Sequence, residues 1–379
     1  MESFSVYNYD YSAPLEYHFK PKKGWVNDPN GLVYFNGYYH LFYQHCPDTE
    51  YPFREQHMYW GHARSKDFVN WEELPVALTP DMPYDNEGCW SGTAIVKDDT
   101  LYLFYASITT PEGADRRIES VSMAYSTDGI NFTKYENNPI IKGYPKDGFP
   151  DFRDPAVTFY NGKYYLVMAT GSGTGDINPK VGRLLIYESD DLKNWNYGGI
   201  AAEWADCIFT ECPSIMPTDD GKILLACSVT PIDWKHYFHV MYGTLENGKF
   251  TCEMAGGYDR GPDQYAGQMF RDDKGRNLHI TWIPGWYLKL PRCVGTWSAP
   301  REITVKNGKV CGYPVKEVQH LLKDSDENVK ITKDGFEILR TGRETVVHKG
   351  EIKDLKILRD GYILEVFVNG GEDVYSVLL

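Results

Sequence analysis

The sequence predicts an all-β protein, a five-bladed β-propeller followed by a short C-terminal β-sandwich-like module. Two observations predict this fold. Equivalent leucines of the first three copies of a repeat, Leu41, Leu103 and Leu166, lie 62 and 63 residues apart. The repeat itself is an alternating apolar run, a tight turn and a second run, and its five copies occupy 32–43, 94–105, 157–168, 215–227 and 269–282. Short strands recurring at such a period are typical of four-stranded propeller blades.

The turns favour a hairpin in every copy. Asn36-Gly37 and Asn161-Gly162 are the strongest short-range hairpin signals, and the other copies also turn at Asp-rich or Gly-containing segments. Further strand-and-turn segments follow the hairpins, and each of the first three ends at an aromatic residue, namely Trp71, Phe132 and Trp195. The blade therefore has an outer half as well as an inner half. A β-sandwich with hairpins repeated by chance is the alternative.

The end of the chain predicts a second unit. We assign residues 1–305 to the propeller and residues 306–379 to the C-terminal module. Its strands are predicted at 329–333, 336–340, 355–359, 363–368 and 374–378, with Asp-Gly and Asn-Gly turns between them. Because a few short strands bury little area by themselves, the module should dock on the propeller. Its surface could also pair with a second copy, which makes a homo-oligomer one expectation.

Composition excludes several classes of protein. The 379 residues carry a formal net charge of −14, which argues against nucleic acid as a partner. No apolar stretch reaches the length of a membrane span, and the first residues lack the basic and apolar regions of a signal peptide. The eight cysteines form no regular framework, as expected for reduced thiols. We therefore expect a cytoplasmic protein with no membrane partner.

Three carboxylates recur at one place in the repeat. Asp28, Asp154 and Glu211 each stand a few residues ahead of a hairpin, at 32–43, 157–168 and 215–227. If the hairpins are equivalent blades, the three acids converge on one axis. Any one such turn would more often be structural than catalytic, but three in register favour a site. Convergent carboxylates beside aromatic residues are what cleavage of a glycosidic bond needs.

The neighbours of each acid suggest different tasks. Asp28 lies between Asn27 and Asn30, whose amides could keep it ionised as a nucleophile. Glu211 stands in less polar surroundings, which suits a group that must hold its proton until the leaving group departs. Asp154 follows Arg153 directly and is expected to stay ionised.

Further residues are candidates for contact with a sugar. Most are aromatic or amide side chains. Ser91 and Tyr265 stand at blade entry positions, and Tyr265 could also contact Glu211. The full set is Trp25, Asn27, Gln44, Trp60, Trp90, Ser91, Arg153, Tyr265, Trp282 and Trp286. Trp25, Trp60 and Trp90 could equally be core residues. The histidines at 40, 45, 57 and 62 fall on different faces and turns, so no metal site and no cofactor are predicted.

Several ordered motifs resemble one known family. Those that carry the three acids read Trp25-Val26-Asn27-Asp28-Pro29-Asn30-Gly31, Arg153-Asp154-Pro155 and Glu211-Cys212-Pro213, with further matches at 42–44, 59–63, 90–94 and 299–303. In these segments the chain resembles glycoside hydrolase family 32, the invertases and fructan hydrolases. Its C-terminal module is shorter than is usual there, and 263–268 departs from the family's pattern.

The resemblance implies a retaining β-fructofuranosidase of the invertase type. Asp28 would attack the fructosyl anomeric carbon, Glu211 would act as acid/base, and Asp154 would bind fructose hydroxyls and stabilise the transition state. The substrate would be a small sugar, and sucrose, sucrose 6-phosphate and short fructo-oligosaccharides all remain open. A fructosyltransferase acting at the same site and a non-catalytic sugar-binding propeller are the alternatives.

Overall fold

The structure is a computed structural model that describes residues 15–49, 57–284 and 293–379. Within these ranges the regular structure is almost entirely β, and the one helix is a 3-10 turn at Lys316–Leu321. None of the described segments is a helix long and apolar enough to cross a membrane.

Five antiparallel sheets follow one another along the chain. The first contains β1 (Gly24–Phe35), β2 (Tyr38–Cys46), β3 (Tyr59–Ser65) and β4 (Trp71–Leu78). The second contains β5 (Gly88–Lys97), β6 (Thr100–Thr109), β7 (Ile118–Ser126) and β8 (Thr133–Lys134). The third contains β9 (Asp151–Tyr160), β10 (Lys163–Gly171), β11 (Val181–Ser189) and β12 (Asn196–Ala205). The fourth contains β13 (Cys207–Pro217), β14 (Ile223–Pro231), β15 (Tyr237–Glu246) and β16 (Lys249–Gly256).

The fifth sheet is less regular. It begins with β17 (Tyr265–Arg271) and β18 (Asn277–Ile283). The chain then contributes β19 (Cys293–Val294), which runs parallel to β1 in the first sheet, and β20 (Thr296–Trp297), which pairs with β18. The sheet is completed by β21 (Arg301–Lys306) and β22 (Lys309–Pro314).

The sheets form a closed ring. Their first strands, β1, β5, β9, β13 and β17, contact one another in cyclic order, with β17 returning to β1. Apolar side chains fill the space between adjacent sheets, for example Phe42 and Leu103 between the first and second, and Leu166 and Phe104 between the second and third. This arrangement confirms the predicted five-bladed propeller.

The predicted hairpins are the first two strands of each sheet. Asn36 and Gly37 have φ values of 48° and 81°, and Asn161 and Gly162 have 48° and 82°. Both central residues of a type I′ turn need positive φ, which Asn and Gly adopt at the lowest steric cost. The Asn-Gly turns therefore join these strands as predicted, because both residues adopt the positive φ that the turn needs.

The C-terminal unit is a small sandwich of two three-stranded sheets. One contains β23 (Val329–Thr332), β24 (Gly335–Ile338) and β25 (Val346–Lys349), and the other β26 (Leu355–Asp360), β27 (Ile363–Val368) and β28 (Asp373–Leu378). Phe336 and Ile338 of one sheet pack with Leu364 and Val366 of the other. The predicted strands are present, and β25 was not predicted.

The predicted division between residues 305 and 306 falls inside β21, whose sheet continues to Pro314. We propose instead to divide the chain at the 3-10 turn Lys316–Leu321, between the last strand of the fifth sheet and the first of the sandwich.

A buried ionic cluster joins the two units. The two ring nitrogens of His18 lie 2.9 Å from Asp360 Oδ2 and 2.7 Å from Glu365 Oε1. Arg301 of the fifth sheet binds Glu365 through Nη2 and Asp259 through Nη1, at 2.5 and 2.6 Å. All five side chains are fully buried. The N-terminal segment, the propeller and the sandwich are therefore held at one point.

Candidate active site

A β-bulge interrupts the first strand of every propeller sheet at a corresponding position. In four strands two residues face one partner: 27–28 face Gln44, 154–155 face Met168, 212–213 face Cys227 and 266–267 face Thr281. In β5 the single extra residue is Ser91. Bulges break the regular alternation and re-aim side chains. Residues at or beside all five bulges line one cavity.

Three bulge residues adopt left-handed backbone conformations although they are not glycine. Asp154, Cys212 and Ala266 have φ values of 62°, 48° and 52°. Such conformations cost free energy and persist where the surroundings fix them, which is common at functional sites. Two of these three residues lie at the predicted acids: Asp154 is one of them, and Cys212 directly follows Glu211.

The cavity lies at the end of the ring where the inner strands begin and has a volume of about 540 Å³. Asp28, Asp154 and Glu211 all line it, so the predicted convergence of the three acids occurs. Of the predicted sugar-binding residues, those that line it are Trp25, Asn27, Gln44, Trp90, Ser91, Arg153, Tyr265 and Trp282.

Asp28 is half-buried and held by donors from two sheets. Its Oδ1 accepts a hydrogen bond from the Asn27 amide at 2.9 Å, and its Oδ2 accepts one from the Ser91 hydroxyl at 2.5 Å. Asn27 is itself fixed, because its Oδ1 accepts from the Trp25 indole at 2.9 Å. The expected contact from Asn30 is absent: its Nδ2 is buried and donates to no described group, and its Oδ1 accepts the Gly92 N–H at 3.3 Å.

Glu211 is bound by the guanidinium of Arg153 and the phenol of Tyr265. Its Oε1 lies 2.9 Å from Arg153 Nη2, and its Oε2 accepts a hydrogen bond from the Tyr265 hydroxyl. The predicted contact of Tyr265 with Glu211 is therefore present. The guanidinium of Arg153 also binds Glu119 and Asp151.

Asp154 is buried between the other two acids. Its Oδ2 accepts the backbone N–H of Cys212 at 2.8 Å. The Cys212 thiol lies 3.3 Å from Asp28 Oδ2 and 3.7 Å from Asp154 Oδ2, so this one residue links both aspartates to the strand of Glu211. Burial raises the pKa of the Cys212 thiol well above its usual value, and the nearby carboxylates raise it further. It therefore stays a thiol.

Burial raises the pKa of both aspartates. Burial raises the pKa of Asp28, the hydrogen bonds from Ser91 and Asn27 oppose this, and the charge of Glu211 adds to it. For Asp154, burial is again the largest effect, and together with the charges of Asp28 and Glu211 it outweighs Arg153 and raises the pKa to about 7. Asp154 is thus partly protonated near neutral pH, and the prediction that it stays ionised is wrong.

Two predicted contacts are not found in the cavity. Trp60 is completely buried below it, where its indole donates to the Trp90 carbonyl at 3.0 Å. It is a core residue that packs with Phe42 and Tyr105. Trp286 lies outside the described residues.

Several residues of the cavity wall were not predicted. They come from loops and from strand positions without a motif, and they are Met58, Glu87, Arg117, Asp151, Thr174 and Phe209. The guanidinium of Arg117 lies 4.4 Å from the centre of the Trp90 ring. Asp151 could have been found from its place two residues before Arg153 on the same strand face.

No group of three or more His, Cys, Asp or Glu side chains suited to a metal ion occurs in the parts of the chain that the structure describes. The chemistry at hand is that of carboxyl groups. One is held by amide and hydroxyl donors, one by a guanidinium and a phenol, and one is buried between them. Such a set provides for nucleophilic attack and for proton transfer across a glycosidic bond.

A five-bladed propeller with these carboxyl groups at one end of its ring is typical of a class of glycosidases. The family model described as "Glycosyl hydrolases family 32 N-terminal domain" matches residues 18–314. The chain belongs to glycosyl hydrolase family 32, which confirms the resemblance found in the sequence.

Individual relatives agree with this assignment. Raffinose invertase of Escherichia coli is 31% identical over 85% of the chain, which covers 69% of that protein. A sucrose-6-phosphate hydrolase of Zymomonas mobilis is 32% identical over 82% of the chain, which covers 63% of that protein. The chain thus spans about two thirds of the length of these curated relatives.

Solved structures extend the comparison to the whole described fold. A Bombyx mori GH32 β-fructofuranosidase superposes with a TM-score of 0.80 at 27% identity, covering 97% of this chain and 89% of the other. A mutant of that enzyme in complex with sucrose gives a TM-score of 0.81.

Proposed function

We propose that the chain is a retaining β-fructofuranosidase that releases terminal β-D-fructofuranosyl residues by double displacement. The observation that carries this proposal is that Asp28, Asp154 and Glu211 line one cavity, with Cys212 in contact with both aspartates. The names of the relatives supply the sugar: an invertase, a sucrose-6-phosphate hydrolase and a β-fructofuranosidase.

In the first step, a carboxylate oxygen of Asp28 attacks the fructosyl anomeric carbon. The bond from that carbon to the leaving oxygen breaks, and Glu211 gives its proton to that oxygen. In the second step, Glu211 takes a proton from water, the water oxygen attacks the same carbon, and the ester to Asp28 breaks. Retention of configuration follows from the two displacements.

The surroundings of each acid suit its task. Asp28 has fixed donors on both oxygens, which hold it in one orientation for attack. Glu211 keeps its side chain 22% exposed toward the cavity, as proton exchange with a leaving group and with water requires. Asp154 is proposed to bind fructose hydroxyls with bonds that strengthen in the transition state.

The cavity wall supports contact with a sugar. Trp25 and Trp282 meet edge to face, with ring centres 6.0 Å apart, and form one wall with Asn27. Trp90, Gln44 and Ser91 are proposed to contribute further contacts with the substrate. Arg153 and Tyr265 are proposed to act on the substrate mainly through Glu211.

The charge of the cavity favours neutral substrates. Among the described residues, five carboxyl groups line it, from Asp28, Glu87, Asp151, Asp154 and Glu211, against the two guanidinium groups of Arg117 and Arg153. A phosphorylated sugar would enter a field of its own sign. We therefore propose sucrose and short neutral fructosides ahead of sucrose 6-phosphate.

The test is fructose release from sucrose, sucrose 6-phosphate, kestose, inulin and levan by the intact chain, Asp28→Ala and Glu211→Gln. We expect release from sucrose to exceed that from sucrose 6-phosphate, and a loss of at least about 10³-fold in each variant. Asp48→Ala and Glu203→Gln alter exposed acids and should retain activity.

Different outcomes separate the alternatives. No fructose from any of these substrates would refute the hydrolase and favour a sugar-binding propeller. Products longer than the substrate at high sucrose would identify a fructosyltransferase.

A cytoplasmic location and a homo-oligomer formed through the C-terminal unit stay predictions. The location is supported by the seven cysteines with described side chains, all of which are free thiols.

A further inference from the structure

The segment between β16 and β17 connects the C-terminal unit to the cavity. Residues 258–263 run alongside β28, with Val374 N–H donating to Tyr258 O at 2.8 Å and Arg260 N–H donating to Val374 O at 2.7 Å. The contact is close, since a Cβ added to Gly261 would lie 2.2 Å from Ser376 N. The position of this segment therefore depends on the last strand of the sandwich.

Asp263 ends this segment and is buried among groups of the C-terminal unit. Its Oδ2 lies 2.5 Å from Arg340 Nη2 and accepts the Leu378 N–H at 2.9 Å, and its Oδ1 lies 3.3 Å from Arg343 Nη1. Both arginine side chains are less than a tenth exposed. Apolar residues could dock the same surfaces, but a buried charge held by two arginines accepts fewer alternative positions.

Two residues further along the chain, Tyr265 contacts the proposed acid/base. Its hydroxyl donates to Glu211 Oε2 and lies 3.0 Å from Thr230 Oγ1. Its carbonyl accepts from the Thr281 hydroxyl at 2.9 Å. Tyr265 is paired with Trp282, and the ladder is interrupted directly after it by the bulge at 266–267. The anchor on the other side of Tyr265 is Asp263.

We infer that Asp263, clamped by Arg340 and Arg343 of the C-terminal unit, is a positioning residue for Glu211 that acts by fixing the phenol of Tyr265. This inference rests on the proposed function. The small sandwich would then contribute to catalysis by setting the place of the proton donor, although none of its described residues lines the cavity.

Substrates with different leaving groups distinguish a misplaced acid/base from a general loss of structure. The glucose oxygen of sucrose must receive a proton from Glu211 as the bond breaks, whereas a 4-nitrophenolate leaves without one. The value of kcat/KM reports the reaction through this first step. A misplaced acid/base should therefore slow sucrose much more than 4-nitrophenyl β-D-fructofuranoside.

The variant is Arg340→Met, and the control is Arg260→Met, which removes an exposed ion pair with Asp373 across the same junction. For Arg340→Met we expect kcat/KM to fall at least about tenfold on sucrose and less than about threefold on the aryl fructoside. Arg260→Met should stay within about twofold of the parent on both substrates.

Asp263→Asn and the double variant Asp263→Asn/Arg340→Met guard against misfolding, since the double variant removes both charges of the Asp263–Arg340 pair. If Arg340→Met fails to fold, the double variant is measured in its place with the same expectation. Equal losses on both substrates, or no loss on sucrose, would overturn the inference. A parent protein inactive on both substrates would refute the proposed function, and the inference with it.

Discussion

At the scale of single residues, the site is defined by carboxyl groups that are wholly or partly buried from water. Asp154 shows the consequence most clearly, because burial and the charges of Asp28 and Glu211 raise its pKa to about 7. A sugar hydroxyl that donates to Asp154 would favour the ionised form. We therefore expect substrate binding and deprotonation of Asp154 to be coupled.

The same shift predicts that Asp154 destabilises the folded protein at neutral pH. Its folded pKa of about 7 lies above its ordinary value of 3.8, so the folded state binds more protons between these values. Stability must then fall as pH rises through this window. Asp154→Asn should raise the free energy of unfolding by about 1–3 kcal/mol at pH 8 and by less at pH 5, while activity is lost.

Thermal or denaturant unfolding of both proteins at the two pH values measures this effect. Asp48→Asn, which alters an exposed aspartate, serves as the control and should change neither value. An Asp154→Asn variant less stable than the parent at pH 8 would contradict the account of this residue.

The sequence predicted the three acids and most of the wall because the bulges lie at motif positions. It predicted the contacts of Asn27 with Asp28 and of Tyr265 with Glu211, but not the other partners of the acids. Asn30 and Arg153 are sequence neighbours of Asp28 and Asp154, yet their polar groups reach other partners, Gly92 N–H and Glu211. Which face a side chain occupies depends on the register of the strand, and a bulge shifts that register.

At the scale of elements, the bulges direct side chains of the repeated first strands into one cavity. Gly92 allows the bulge in β5 that carries Ser91, since a Cβ at Gly92 would lie 1.9 Å from the Phe104 carbonyl oxygen. Ser91 in turn donates to Asp28. The backbone of β6 therefore limits this position to glycine.

Gly92→Ala should push β5 away from β6, lowering the free energy of unfolding by about 1–3 kcal/mol and reducing fructose release through the displaced Ser91. Gly256→Ala is a matched control, because nothing lies within 4 Å of a Cβ at that position. Equal stability and activity of the two variants would contradict this role for the bulge.

Hairpins were more predictable than the elements around them. The Asn-Gly turns specify a local backbone conformation, whereas β25 and the bulges depend on neighbours that are distant in sequence. The number of inner strands could be predicted from the repeat, but the bulge that interrupts each of them could not.

At the scale of the whole molecule, the buried cluster around His18 holds the two units together. Burial alone would lower the pKa of His18, but hydrogen bonds with Asp360 and Glu365, and their charges, raise it to about 9. Burial would raise the pKa of Glu365, but Arg301 and His18 lower it to about 2. Docking of the sandwich was expected from its small area. The cluster was not expected, because His18 lies 342 and 347 positions from its partners Asp360 and Glu365.

These shifts predict a window of greatest stability. The contribution of His18 is complete below its ordinary pKa of 6.5 and is lost as pH rises through about 9. That of Glu365 is complete above 4.5 and is lost as pH falls through about 2. The junction should therefore be most stable between about pH 4.5 and 6.5.

His18→Gln should lower the free energy of unfolding by about 3–5 kcal/mol at pH 6, since it leaves the buried Asp360 without its cation and Glu365 with Arg301 alone. The difference from the parent should shrink at pH 10. Unfolding curves at both pH values measure it, with the exposed His320→Gln as control. A difference that is the same at both pH values would contradict a charged His18.

The central claim is that Asp28 forms a covalent bond to fructose and that Glu211 helps to break it. The most direct measurement is peptide mass spectrometry of Glu211→Gln, quenched by acid during turnover of 4-nitrophenyl β-D-fructofuranoside. The activated leaving group keeps the first step fast, and the loss of the base slows the second, so a fructosyl adduct should accumulate on the peptide that contains Asp28. An adduct on another residue, or rapid turnover with no adduct at any time, would contradict the account.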